Sequence, residues 1–173
     1  TIQAIVVVLF QGLSAATAVI LGNELGAGKI KRAEKYATQF FILQFIVTIA
    51  SAFVVIGIRG PLIGLYNITE AVGRDVNICI LIFACYMPAK MFNYVNVVGV
   101  LRSGGDTKMC LFLDTSGVWC IGVPLAFLGA LVWHLPIYVV YGLVMLEEVY
   151  KAVLGYIRYR QKKWLRNLTV QVR

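Results

Sequence analysis

Apolar residues fill five long stretches of the chain, each separated from the next by a short polar or glycine-rich interval. They run over about residues 2–22, 36–58, 76–100, 109–132 and 135–156. A hydrocarbon core about 30 Å thick needs roughly 20 mostly apolar helical residues to cross it, and each stretch is long enough. The second is the cleanest, its polar members being Thr38, Gln39, Gln44, Thr48 and Ser51. One helix over residues 109–156 would exceed twice the membrane thickness, so Trp133-His134-Leu135-Pro136 reads as a very short turn at an interface. His134 is then an interfacial residue. The expected fold is all-α: a polytopic membrane bundle of five transmembrane helices.

Composition agrees. Sixty per cent of residues are hydrophobic and 14% charged, and the mean hydropathy is +0.82. These values exclude an ordinary soluble domain and a disordered chain. Cys79, Cys85, Cys110 and Cys120 lie in or beside apolar runs without CxxC spacing, and read as small buried hydrophobes. The chain opens at Thr1 with no basic n-region and no small-residue cleavage site, so its first stretch is not a signal peptide. It is expected to be the C-terminal piece of a longer membrane protein.

The net charge of +8 is topology information and not a nucleic-acid signal. Lys29, Lys31, Arg32 and Lys35 follow the first span, and Arg102 and Lys108 follow the third. Lys151, Arg158, Arg160, Lys162, Lys163, Arg166 and Arg173 lie near or beyond the end of the fifth. The opposite side carries Arg59 and Arg74, offset by Glu70 and Asp75. The positive-inside bias predicts that the first and third connections and the tail are cytoplasmic, with the N-terminus outside, in a plasma-membrane protein. Residues 157–173 form a basic, aromatic tail expected to lie on the inner leaflet, where each Lys or Arg contributes about 1 kcal/mol. Asn67-Ile68-Thr69 and Asn167-Leu168-Thr169 match the glycosylation pattern by chance on this topology.

Two glycine turns interrupt the spans. Gly22, Gly26 and Gly28 lack both the GxGxxG order and a following Lys-Ser/Thr pair, which excludes a nucleotide loop. They are expected to reverse the chain tightly at the membrane surface. Arg102, Gly104, Gly105 and Asp106 form the second turn, with Asp106 or Thr107 expected to cap the fourth span. Small residues four apart, at 12/16, 14/18 and 18/22, would allow the first helix to pack closely on neighbours.

Ionisable residues at membrane depth are functional candidates. Lys90 is central in the third span, two residues after Pro88, where a kink is expected. Tyr86, Lys90 and Asn93 share a helical stripe, with Asn96 or Val97 extending it. Two readings stand: the stripe lines a water-filled cavity, or Lys90 pairs with a carboxylate from another helix. Asp114 is placed to bond another helix or an inner-surface base. Lys151 is i+4 from Glu147 and i+3 from Glu148, so one local ion pair is expected and the other carboxylate faces a neighbouring helix. These acids read as gating or packing elements. Ser14, Ser51, Ser103 and Ser116 have only His134 as an imidazole partner, at the wrong membrane depth, so no enzyme is expected.

The order of these features resembles the multidrug and toxic compound extrusion (MATE) transporters. The likeness rests on Gly22-Asn-Glu-Leu-Gly-Ala-Gly28 followed by Ala33, on Pro88 and Phe92-Asn93, and on Gly99-Val-Leu-Arg-Ser-Gly-Gly-Asp-Thr-Lys108. Asp114, Trp119, Pro124, Leu135-Pro136, Glu147-Glu148, Lys151 and Lys163-Trp164 near Asn167 continue it. The resemblance implies that residues 1–156 are helices eight to twelve of a twelve-helix protein, within its C-terminal six-helix lobe. It implies export of organic cations or other drug-like amphipathic compounds in exchange for Na+ or H+, with an N-terminal lobe and membrane lipids as partners and no nucleic acid or metal. Some members place an acid in the tenth helix, whereas this chain has no Asp or Glu over residues 76–100 and carries Lys90. A lipid-linked saccharide flippase and a non-transporting membrane assembly subunit are the alternatives.

Overall fold

The computed structural model of the chain describes residues 2–66 and 68–166. Among them five helices follow one another: α1 (Ile2–Gly26), α2 (Ile30–Gly64), α3 (Glu70–Leu101), α4 (Thr107–Val132) and α5 (Ile137–Arg160). The last eight residues of α3, Tyr94–Leu101, are π-helical. Two further π segments, Val118–Gly122 and Leu128–Val132, interrupt α4. The first four helices are long and apolar enough to cross a membrane. The fifth, at 24 residues, matches them in length but carries Glu147, Glu148 and Lys151 in its middle. Composition therefore supports four spans where five are expected.

Helix ends extend past the apolar stretches. Arg32, Glu34 and Lys35 belong to α2, because Lys, Arg, Glu and Ala favour helix even where they leave the hydrocarbon. α3 packs between α2 and α5, and its π-helical end lies against α1. One core cluster joins Val6 and Phe10 of α1, Val55 of α2, and Ile80, Phe83, Met87 and Met91 of α3. A second gathers the other end, where Leu21, Leu25, Ala37, Val100, Leu101 and Leu113 enclose Trp164. Ile42, Phe45, Ile46, Phe53 and Val54 of α2 face outward, as an apolar helix does toward lipid.

Both glycine turns use one backbone device. Gly28 and Gly105 take left-handed φ values of 74° and 77°. Gly28 N–H donates to the Leu25 carbonyl and Lys29 N–H to that of Glu24. At the second turn Gly105 N–H donates to Arg102 and Asp106 N–H to Leu101. Each pair, spanning three and five residues, is a Schellman cap that satisfies the last carbonyls of its helix. The first turn is shorter than expected: Gly22 and Gly26 lie inside α1, and a Cβ on Gly22 would meet nothing within 4 Å.

Close packing of α1 uses Ser14, one member of the 14/18 pair, together with Thr17, both fully buried. Ser14 Oγ donates to the Tyr94 carbonyl at 3.0 Å. A Cβ on Gly99 would lie 3.0 Å from Thr17 Cβ and 3.3 Å from the Ser14 carbonyl oxygen. Gly12 borders open space and Ala16 is exposed. The cysteines are free thiols, of which only Cys110 is buried; its Sγ donates to the Val97 carbonyl at 3.3 Å.

Two expectations at this end need correction. Asp106 precedes α4 at its N-cap position but makes no side-chain cap. Its carboxylate instead accepts two bonds from Arg158, Nε at 2.5 Å and a terminal nitrogen at 2.9 Å, a fork geometry that outcompetes a lone backbone N–H. The segment after α5 folds back onto the bundle: Trp164 is 1% exposed, stacks on Tyr159 with centroids 5.7 Å apart, and donates from Nε1 to the Tyr159 carbonyl at 3.3 Å. Tyr159 meets Phe41 edge-on at 4.9 Å, and Phe41 stacks on Phe92 at 5.1 Å. Lys162 pairs with Glu34 at 2.6 Å. The Asn167 sequon, Arg173 and the rest of the tail lie outside the described residues, as does Asn67.

Candidate functional site

Pro88 does not break α3, which continues as α-helix to Asn93. Pro88 lines an open groove together with Phe41 and Phe45 of α2 and Phe92, and the irregular backbone begins at Tyr94. Lys90 and Asn93 turn the other way, to α5. Lys90 Nζ donates to Glu148 Oε1 at 2.7 Å. Asn93 Nδ2 donates to Glu148 Oε2 at 2.9 Å and to the Glu148 carbonyl at 2.8 Å. The pairing reading of Lys90 and the cavity reading therefore coincide, since the same residues line an open space.

Lys151 adds a second cation. Its Nζ lies 3.5 Å from Glu147 Oε1 and 3.5 Å from Glu148 Oε2, so it bridges both acids and does not select one. Two glycines of α4 make room for this. A Cβ on Gly117 would lie 2.9 Å from Lys151 Cγ, and one on Gly122 would lie 2.5 Å from Glu147 Oε2. The charged side chains of α5 pass over a glycine-walled face of α4, where Gly117 precedes and Gly122 ends the π segment Val118–Gly122. Glu148 and Lys151 are 4% and 8% exposed, and such charges are held only when paired.

An open cavity of about 230 Å3 adjoins the network, lined by Lys90, Asn93, Val97, Asp114, Glu148 and Lys151. Asp114 is exposed there, with no ion pair or hydrogen bond among the described residues. Deeper, Asn96 is fully buried against Gly155, and its Oδ1 and Nδ2 have no hydrogen-bond partner among the described residues. No group of three or more His, Cys, Asp or Glu among them converges to hold a metal ion.

The structure thus brings Lys90, Asn93, Asp114, Glu147 and Glu148 together. Tyr86 and Pro88 do not line this cavity. Gly22, Gly26, Gly28, Arg102, Gly104, Gly105 and Asp106 sit at one end of the bundle. Gly117 and Gly122 were missed, because a glycine in an apolar helix carries no sign of what crosses it. The arrangement can hold, exchange or repel charge; it presents no activated nucleophile.

An apolar helix bundle with buried charges beside an open cavity defines a polytopic α-helical membrane protein. The chain belongs to the MatE family of membrane transporters, whose family model matches residues 1–128. It is similar to the uncharacterized transporter YisQ of Bacillus subtilis, 21% identical over 88% of this chain and 33% of that protein. Multidrug and toxin extrusion protein 1 of Homo sapiens is 25% identical over 84% of this chain and 26% of its own length. Multidrug resistance protein MdtK of Yersinia pseudotuberculosis is 28% identical over 67% of this chain and 25% of its own. The chain spans a third or less of these relatives. No solved structure matches it. Family membership places it among transport proteins, not enzymes.

Proposed function

We propose that the chain forms helices eight to twelve of a secondary active multidrug exporter, in which Na+ or H+ entering the cell drives organic cations or amphipathic compounds out by alternating access. The observation that carries this reading is the family match, covering 128 of 173 residues and including both glycine turns. The fifth span is α5: its charges point inward, while Leu146, Val149, Val153 and Ile157 are exposed. The basic residues at the helix ends support a cytoplasmic side for the Gly28 and Gly105 turns and the tail. Lys90 and Asn93 belong to the substrate or ion pathway, and Asp114, Glu147 and Glu148 gate it. Both lysines beside the cavity are paired with carboxylates, which disfavours the flippase alternative, since a pyrophosphate group needs free cations.

The test is drug efflux by the complete gene product carrying Lys90→Ala or Lys90→Glu. Altered transport, or an altered dependence on pH or Na+, is expected; unchanged behaviour in both variants removes Lys90 from the pathway. The 173 residues alone supply one wall of a cleft and should not transport. Reproducible Na+- or proton-driven efflux by this chain in vesicles sinks the lobe assignment.

A further inference from the structure

The Glu148 carboxylate has the surroundings of an occupied cation site. Oε1 faces Lys90 Nζ at 2.7 Å, Oε2 accepts from Asn93 Nδ2 at 2.9 Å, and Lys151 Nζ stands 3.5 Å away. Asp114 lines the cavity from α4, Glu147 and Lys151 flank Glu148 on α5, and Tyr141 lies two turns earlier on that helix. Lys90 and Lys151 balance Glu147 and Glu148 in charge, and Asp114 is left over. The positive charge closest to Glu148 is therefore one the chain supplies itself, on a flexible four-carbon stem.

A lysine ammonium is a compact point charge with three donors. Glu148 accepts one donor of Lys90, and the ammonium borders the open cavity. With Lys90 withdrawn, Glu147 and Glu148 would share the Lys151 ammonium alone, at 3.5 Å from each, and a buried carboxylate pair short of one positive charge is strongly disfavoured, so the withdrawal calls for another cation to arrive. We infer that Lys90 is a tethered counter-cation: its ammonium occupies at Glu148 the place a free monovalent cation would take, and Glu148 receives such a cation only when Lys90 withdraws. This deepens the transport reading and rests on it for the cation's biological role; the occupancy itself does not.

The experiment is thermal unfolding of the purified protein at constant ionic strength, with N-methylglucamine chloride replaced by NaCl or by propylammonium chloride. The wild type, its site filled, should respond to neither. Lys90→Ala should show a saturable rise in Tm with Na+ or propylammonium, roughly 2–4 °C at about five times Kd. Lys90→Arg keeps a tethered charge and should be unresponsive, and Glu148→Gln combined with Lys90→Ala should abolish the response. Should Lys90→Ala prove too unstable to purify, its folded yield with and without propylammonium reads the same occupancy. No response of Lys90→Ala to either cation at neutral and alkaline pH overturns the inference, as does an equal response of the wild type or one that survives Glu148→Gln. Because the readout is equilibrium binding, its failure with efflux intact leaves the transport reading standing. Rescue without efflux in the complete gene product does the reverse.

Discussion

Gly104→Ala is expected to cost far more than Gly105→Ala, although the two glycines are adjacent and only Gly105 has a left-handed φ. At Gly105 the added methyl meets conformational strain of about 1 kcal/mol. At Gly104 the place a Cβ would take is occupied by the Trp164 carbonyl oxygen, which is backbone and cannot rotate aside. The Trp164 segment must lift, withdrawing a side chain that is 1% exposed together with its bond to the Tyr159 carbonyl. Truncating a buried tryptophan costs about 3–5 kcal/mol, and Gly104→Ala should approach that value. The assay pairs thermal unfolding with acrylamide quenching of Trp164 in a background lacking Trp119 and Trp133, both of which are exposed. Trp164 should be shielded in the parent and in Gly105→Ala but quenched in Gly104→Ala. Since both changes release the same contact, Gly104→Ala and Trp164→Ala should combine at well below the sum of their separate effects. A Gly104→Ala protein as stable as Gly105→Ala, with Trp164 still shielded, refutes the packing argument.

Two further outcomes are expected. Asn96→Leu should be neutral or stabilising in thermal unfolding, because it removes two buried polar atoms that lack partners and whose burial costs about 1–3 kcal/mol; a loss of 2 kcal/mol or more, on the order of a lost charged bond, would show that the amide is satisfied. Asp106→Asn should destabilise by about 1–3 kcal/mol by breaking the fork with Arg158, and Arg158→Lys should keep only part of the pair's contribution, since a lysine cannot make both bonds. Equal stability of Arg158→Lys and wild type would contradict the bidentate geometry.

Much of the fold was legible because membrane insertion writes itself locally. The apolar stretches, the basic residues at their ends and the glycine pairs each report on their own neighbourhood, and all five helices lie where those signals put them. Boundaries slipped where helix-forming charged residues extend a helix beyond the hydrocarbon, as at Arg32 and Lys35. Side-chain roles were harder to read because they depend on distant partners. Asp106 looks like a helix cap until Arg158, 52 residues later, takes its carboxylate. Lys90 was legible as an intramembrane charge, whereas its partner 58 residues away was not. Nothing in the sequence announced the π-helical backbone of α3, which begins at Tyr94, six residues after Pro88. The basic, aromatic tail was composed like a lipid-surface segment, and only tertiary packing reveals that Trp164 is core.

That buried tryptophan has a mechanical consequence. Trp164 sits on the α3–α4 turn through Gly104, Arg158 grips Asp106, and Lys162 reaches Glu34 near the start of α2. Both interhelical turns at this end are themselves closed by Schellman caps. The segment around Trp164 thereby adds charged and aromatic fastenings to helices that already share the core around Leu25, Val100 and Leu113. Any motion that keeps these fastenings must carry this end as a single plate, and bending is left to the π-helical segments of α4, since that of α3 gives Val97, Val100 and Leu101 to the core around Trp164.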